Sequence, residues 1–249
     1  MIIAIWGKSG TGKSVIANEL GRFYAQRGKV TVVVDTDMTQ PTLPPRLPGT
    51  PDNKKTSLGT IFALPQVRDA HMFFHQQTKE TGLFFSGLIK DDNYLSYEIG
   101  MKQYKQASFF VTACQDVTDV IILDCSGQRG DPFLAVALDL ADHFVLVHAP
   151  DTKNACWYLA VKSLLSKKRS ENNGLIYHIA NTVQKHHAVA EYEKTTGVQF
   201  TAMLPFSRSL NEMDGQGHFA SLSCDRQGRV WQRHFKSDFA RILESDSHG

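Results

Sequence analysis

The sequence predicts an α/β fold in which a mostly parallel central sheet carries helices on both faces. Three observations predict it. Short, continuous apolar and β-branched runs recur along the chain, longer amphipathic stretches separate them, and a glycine-rich loop, GKSGTGKS at residues 7–14, joins the first run to the first amphipathic stretch. Apolar runs without polar alternation suit strands covered on both faces, and alternation of strand with helix is the pattern of a parallel sheet. At 249 residues and 42% hydrophobic, the chain can bury one substantial core. It is read as a single domain over residues 1–249.

Taken in order, Ile2 to Trp6 is the first strand. The loop follows, then a helix from Val15 to Gln26 that ends at Gly28. Val30 to Val34 is the second strand, and Asp35 and Asp37 close it. The proline-rich stretch from Pro41 to Lys55 is a loop. Thr81 to Ser86 reads as a strand and Tyr97 to Gln115 as a helix. Val120 to Leu123, Phe144 to Val147, Leu175 to Ile179 and Phe200 to Leu204 complete the strands. A helix from Thr152 to Lys167 places Ala155, Leu159, Val161 and Leu164 within one stripe. A last helix at about 229–244 sets Trp231, Phe235, Phe239 and Ile242 at helical spacing, with Arg233, His234, Lys236 and Arg241 between them. That stripe reads either as a membrane-surface helix or as a helix packed on the sheet. The acidic ESDSHG that follows it favours packing.

Composition excludes several classes. With 27 basic and 25 acidic residues the formal charge is +2, so neither nucleic acid nor membrane is implied by charge alone. The basic clusters SKKRS at 166–170 and DRQGRVWQRHFK at 225–236 read as solvated faces. Cys114, Cys125, Cys156 and Cys224 show neither CxxC pairing nor metal spacing, which suits reduced thiols and disfavours zinc or iron–sulfur ligation. His71 with His75, and His186 with His187, lack the companions a transition metal needs. Met1 runs into an apolar strand without a basic leader, and no apolar run approaches the ~20 residues of a membrane span. The expected address is the cytoplasm, with recruitment to the membrane periphery or the nucleoid left open.

The chemistry concentrates at the first loop. Gly7 to Ser14 fits GxxxxGK[ST] with a strand before it and a helix after it, the context that makes a phosphate cradle. Gly7, Gly10 and Gly12 let the backbone approach phosphate oxygens while amides at the helix start face the anion. In such a loop Lys13 neutralises β- and γ-phosphates and the Ser14 hydroxyl ligates Mg2+. The metal also needs carboxylates at neighbouring strand ends. Asp35 and Asp37 close VTVVVDTD, and Asp124 closes the strand in VIILDCSGQ, where Gly127 leaves the following loop free to move. A strand-terminal aspartate that merely caps a turn is the competing reading of each.

These motifs resemble the MinD/ParA family of deviant Walker A ATPases, whose loop reads KGGxGK[ST]. Here Lys8-Ser9-Gly10-Thr11-Gly12-Lys13-Ser14 stands in its place, with Ser9 for the first glycine. DTDMTQPTL resembles the family's first switch. ILDCSGQ resembles its Walker B and second switch, with Ser126 and Gly127 where a proline-glycine turn is common. ADHFVLVHAPDTKNACWYLAVKSLL resembles the next strand and helix, and IANTVQ and AMLPFSRSLNEMDGQG resemble the segments that hold adenine. The resemblance covers residues 2 to about 220 and is vaguest over 40–115. It implies ATP and Mg2+ as ligands, with Gly7 to Val15, including Ser9 and Thr11, lining the phosphates. It implies that Lys8 reaches across a homodimer to the partner's ATP, that Asp37 orients the attacking water, and that Asp35 and Asp124 serve the metal. Asn181 and Pro205 line the base, Asn181 by hydrogen bonding.

The resemblance also implies an output. ATP toggles such proteins between monomer and dimer, so a partner or surface that prefers the dimer reads the state. Three outputs compete: recruiting a pilus or secretion machine as TadZ/CpaE-like members do, partitioning DNA, and placing a division site. The first is favoured, because the C-terminal stretch suits neither a terminal membrane anchor nor a basic DNA clamp. A dethiobiotin-synthetase-like ligase or a kinase of the same fold is the main alternative, with Lys8 incidental and a second substrate pocket required. An iron–sulfur carrier and a non-hydrolysing ATP-binding module are further ones.

Overall fold

The computed structural model describes residues 1–46, 53–76, 81–90, 92, 94–97, 100–128, 130–172, 175–215 and 225–246. Part of the proline-rich loop, Cys224, the end of the AMLPFSRSLNEMDGQG segment and the final three residues lie outside this set, as do the side chains of Lys167 to Ser170. The strands are β1 (Ile2–Trp6), β2 (Thr31–Asp35), β3 (His75–Gln76), β4 (Leu83–Ser86), β5 (Val120–Asp124), β6 (His143–His148), β7 (Leu175–Val183) and β8 (Ala202–Pro205). The helices are α1 (Lys13–Ala25), α2 (Leu43–Arg46), α3 (Tyr104–Gln115), α4 (Pro132–Leu140), α5 (Thr152–Asn172), α6 (Val189–Thr196), α7 (Arg208–Gly215), α8 (Arg226–His234) and α9 (Arg241–Asp246). A π-helical stretch, Phe235–Ala240, joins the last two.

The strands make one sheet in the order β3-β4-β2-β5-β1-β6-β7-β8, parallel throughout except for the antiparallel β3–β4 pair. β1 lies between β5 and β6, and the connections diverge on its two sides. Such a sheet opens a crevice at the carboxyl ends of its central strands, the place where α/β proteins bind ligands.

Alternation of side chains across each strand divides the core in two. Ile3, Ile5, Val33, Ile122, Val145 and Ile179 point to the face covered by α1 and the C-terminal helices. Ile2, Ala4, Val32, Val34, Ile121, Leu123 and Leu146 point to the face covered by α3, α4 and α5. Among the described residues, no helix is long and apolar enough to cross a membrane.

Most strands lie within two residues of the runs seen in the sequence, and four boundaries or faces differ for physical reasons. α1 starts at Lys13 rather than Val15, because Gly12 adopts φ 83° and starts the helix directly from the loop. The helix expected from Tyr97 begins at Tyr104, after a 3₁₀ turn over Met101–Gln103. On α5, Leu159 and Leu164 of the expected stripe are exposed, and Tyr158 and Leu165 are buried instead. Tyr158 turns inward to pack against the ring of His148 at 5.2 Å. β3 was not foreseen, since two residues leave no period to read.

The fourth difference is in the C-terminal helix. It begins at Arg226, capped by the Asp225 carboxylate on the Gly228 amide, and its buried stripe is Trp231, Phe235, Phe239 and Leu243, not Ile242. Four-residue steps in an α-helix drift by about 40° each, so this stripe would leave the sheet within three steps. The wider turn of the π stretch absorbs the drift and keeps all four side chains inward. Trp231 and Phe235 stack with rings 5.1 Å apart and 7° between planes. Of the two readings of this helix, packing on the sheet is the one the fold uses.

Candidate functional site

The loop after β1 is held from three sides. Gly7 lies against β6, where an added Cβ would sit 2.3 Å from the Val147 carbonyl oxygen. The buried Thr11 donates its hydroxyl hydrogen to the Lys8 carbonyl at 2.9 Å. Gly12 starts α1 without a side-chain cap, which leaves the first helical amides aimed into the loop and the positive end of the helix dipole behind them. Ser9 and Gly10 are exposed at the loop tip, and Lys13, Ser14 and Val15 are half-buried at its base. The Lys13 ammonium donates to the Lys8 carbonyl at 3.3 Å, folded back over the loop. The half-buried Lys8 side chain has no hydrogen bond or ion pair among the described residues. Uncapped amides and a lysine ammonium in one concave turn are a donor set for phosphate oxygens.

Beside this loop stand two carboxylates from adjacent strands. Asp35 and Asp124 are partners in the β2–β5 register and both are buried. Burial, and then the charge of Asp124, push the Asp35 carboxyl up to about 7, against the hydrogen bonds it accepts from Thr42 and Asp37. Those bonds run from the Thr42 amide at 2.7 Å, the Thr42 hydroxyl at 3.0 Å and the Asp37 amide at 3.1 Å. Repulsion between neighbouring buried carboxylates is relieved by a hard divalent cation, which takes oxygen ligands. This buried pair therefore fits a hard divalent cation such as Mg2+. The fields of Lys13 and Asp124 both reach the buried Cys125 thiol, which burial raises and which Asp131 and Asp124 raise further while Lys13 lowers it.

Asp37 stands further out. Its Oδ1 accepts from the Thr39 amide at 3.2 Å, the Thr39 hydroxyl at 2.8 Å and the Gln40 amide at 3.0 Å, so the carboxylate organises its own turn. The Gln128 side-chain amide donates to the Thr39 hydroxyl, connecting the turn after β2 to the turn after β5.

Asn181 and Pro205 close the same end of the sheet. Asn181 is 3% exposed, and both ends of its amide have protein partners: Nδ2 donates to the Thr11 carbonyl at 2.9 Å and Oδ1 accepts from the Trp231 indole at 3.1 Å. In this structure it braces the phosphate loop against the C-terminal helix. Pro205 is half-buried at the end of β8, in register with Val183 just past an irregularity at Ala180–Val183, where Thr182 has φ 57°.

Sequence reasoning missed Asp131 and Thr36. Asp131 caps α4, its Oδ1 accepting from the Phe133 amide at 2.8 Å. Its Oδ2 accepts from the Thr36 hydroxyl at 2.9 Å and the Ser126 amide at 3.3 Å. Burial raises this carboxyl to about 6, opposed by those bonds. The Asp-Pro pair at a helix start carried the capping signal, but not the link to β2. The histidines lie elsewhere: His71 meets Asp69 at 3.3 Å, His75 contacts the Thr56 carbonyl at 3.2 Å, and the His187 ring faces the Gln184 amide.

A strand-loop-helix cradle for phosphate, flanked by acidic strand ends at the crevice of a parallel sheet, defines a phosphate-loop nucleotide-binding protein. Residues 2–220 match the family model described as the CobQ/CobB/MinD/ParA nucleotide binding domain, and the chain belongs to that family. The cell division ATPase MinD of Pyrococcus furiosus superposes with a TM-score of 0.75 at 18% identity, covering 98% of each chain. The septum site-determining protein MinD of Pyrococcus horikoshii OT3, solved with Mg-ADP, gives 0.74 at 17% identity over 99% of this chain and 96% of that one. At such identities the likeness is one of fold. In sequence, the chain is 24% identical over 235 residues to the cytosolic Fe-S cluster assembly factor nubp2 of Danio rerio, covering 87% of this chain and 84% of that protein.

Proposed function

We propose that the protein is an ATP-binding and ATP-hydrolysing dimerisation switch that positions or assembles a cellular machine. The observation that carries this reading is the pair of lysines in one loop. Lys13 is folded over the loop onto the Lys8 carbonyl, while the Lys8 ammonium is not engaged within its own chain among the described residues. A second cation with no local task is what a trans contact requires, by the logic of an arginine finger.

In this proposal Lys13 and the α1 amides hold the β- and γ-phosphates. Lys8 of one protomer stabilises charge developing on the nucleotide of the other, and Asp37, once released from Thr39, orients the attacking water. Ser14, Asp35, Asp37 and Asp124 would hold Mg2+, directly or through water; the ion's contribution is to neutralise charge on the β- and γ-oxygens. Pro205 lines the base, and Asn181 joins it by exchanging its Thr11 or Trp231 partner for the base. Recruitment of a pilus or secretion assembly is the output we favour over DNA partition and division-site placement. The burial of Trp231, Phe235 and Phe239 speaks only against a membrane-surface role for this helix, since their stripe is spent on the core.

One observation favours the ligase or kinase alternative. A cavity of about 670 Å³ lies beside Gly127 and Gln128, with Trp6, Trp157, Tyr104 and Leu134 among its walls, and a second substrate needs such a space. The iron–sulfur role in the name of nubp2 finds less support here. Among the described residues, Cys114 and Cys125 are buried thiols whose ionisation burial opposes, and Cys156 is exposed.

ATP turnover measured across a dilution series decides between the readings. The switch predicts a rate per subunit that falls with dilution and collapses in Lys8→Ala. A rate that stays flat and survives that substitution overturns it in favour of a pocket enzyme.

A further inference from the structure

We infer that Asp131 is a positioning residue for nucleotide hydrolysis, a carboxylate that fastens the turn after β2 to the turn after β5 and anchors both to α4. This inference rests on the reading of the site as hydrolytic. Three contacts carry it. One Asp131 oxygen caps α4 through the Phe133 amide at 2.8 Å, and the other accepts from the Thr36 hydroxyl at 2.9 Å and the Ser126 amide at 3.3 Å.

Thr36 is the counterpart. It is 1% exposed and sits between the two acidic residues of the first turn, Asp35 and Asp37. Its hydroxyl accepts from the Ser126 amide at 3.1 Å and lies 3.2 Å from the Asp124 carbonyl as well as 2.9 Å from Asp131. A hydroxyl has one hydrogen, and the shorter contact directs it to the carboxylate. Thr36, Ser126 and Asp131 therefore form one buried knot at the base of both loops, and a charged acceptor makes its bonds stronger than neutral ones. What the knot fixes is the backbone that presents Asp35 and Asp37 on one side and leads to Gly127 and Gln128 on the other. None of the three bonds is made to a phosphate-loop residue, although the adjoining Gly127 lies against Gly7 and Ser9, so the knot acts chiefly on the orientation of the reacting groups and less on retention of nucleotide.

The Trp6 indole gives a reporter of the same knot. It donates to the Ser126 carbonyl at 3.0 Å, so its N–H resonance reads the second turn directly, with or without hydrolysis.

The test uses the full chain with Asp131→Asn, Thr36→Val and Thr36→Ser. Asparagine caps helices as well as aspartate does, so Asp131→Asn keeps α4 while setting an N–H₂ group against the Ser126 amide or the Thr36 hydroxyl. We expect kcat to fall about tenfold or more, as misplacement of reacting groups does, in Asp131→Asn and Thr36→Val. The Kd for ATP should change less than about twofold, and Thr36→Ser should restore turnover. The double variant should be no slower than the worse single one, because both act on one knot. In the nucleotide-free proteins the Trp6 indole resonance should shift in Asp131→Asn and Thr36→Val and return in Thr36→Ser. Wild-type kcat in Asp131→Asn, or equal losses in kcat and ATP affinity, or an unmoved Trp6 resonance, each overturns the inference. If the wild-type chain hydrolyses no ATP, the functional reading fails with the hydrolytic role, whereas the knot itself is still judged by the Trp6 resonance.

Discussion

At Gly7 the physical constraint is a single missing methyl group. A Cβ there would lie 2.3 Å from the Val147 carbonyl oxygen, a backbone atom that cannot swing aside. Gly7→Ala is expected to cost about 1–3 kcal/mol, as overpacking does, and to weaken ATP binding by lifting the loop from β6. Chemical denaturation and ATP titration of the variant measure both, and an alanine form with wild-type stability and affinity would show that the loop can retreat freely. At this scale the sequence was most informative where chemistry is local. Gly7, Lys13 and Ser14 announce themselves by spacing along one turn, and Asp35 and Asp124 by closing apolar strands. Thr36 and Asp131 were silent because 95 residues separate them, and only the adjacency of β2 and β5 gives their bond. Asn181 was legible as a polar residue ending a strand, but its partners Thr11 and Trp231 come from opposite ends of the chain.

Among the elements, the β6–β7 pair carries a buried polar chain that no motif advertised. The fully buried His148 contacts the Tyr192 hydroxyl through Nδ1 at 2.8 Å and His178 through Nε2 at 3.0 Å, and Tyr192 donates to Asn154 at 3.3 Å. Burial, and then the proximity of His178, hold the His148 imidazole down at about 3. A folded-state value below the unfolded one means that unfolding takes up a proton. The stabilisation is whole above about pH 6.5 and is lost as pH falls, by up to about 1.4 kcal/mol per unit. Asp35 and Asp131 act in the opposite sense, because carboxyls raised to about 7 and about 6 are more comfortable folded as acidity increases between about pH 7 and pH 4. Unfolding free energies at pH 7.5 and pH 5.5, compared between wild type and His148→Phe, separate the terms. The variant should lose less stability on acidification than wild type, and equal losses would remove His148 as the cause. Strand positions were readable at this scale because short, continuous β-branched runs bounded by turn residues suit strands covered on both faces. The inward phase of the last helix was not readable, since a π stretch follows from how four side chains fit the sheet and has no residue signature of its own.

For the whole molecule, the central prediction is linkage between ligand and fold. The cradle joins β1, α1, β6 and, through Asn181, the C-terminal helix, so nucleotide that binds it binds only the folded chain. Mg-ATP at about 100 times its Kd adds about 2.7 kcal/mol, which for a chain of this size raises Tm by about 5–10 °C. Lys13→Ala should lose most of that rise in a thermal scan, and a variant that keeps it would move the phosphate contact elsewhere. Fold class followed from the sequence because alternation and covered strands leave few architectures. The sheet order did not, since nothing local records that β5 inserts between β1 and β2.

The brace from Thr11 through Asn181 to Trp231 has a consequence for how the protein is born. Residue 11 leaves the ribosome well before residue 231, so the loop is not fully supported until the C-terminal helix has emerged. A nascent chain that still lacks this helix is therefore expected to hold nucleotide less firmly than the folded one.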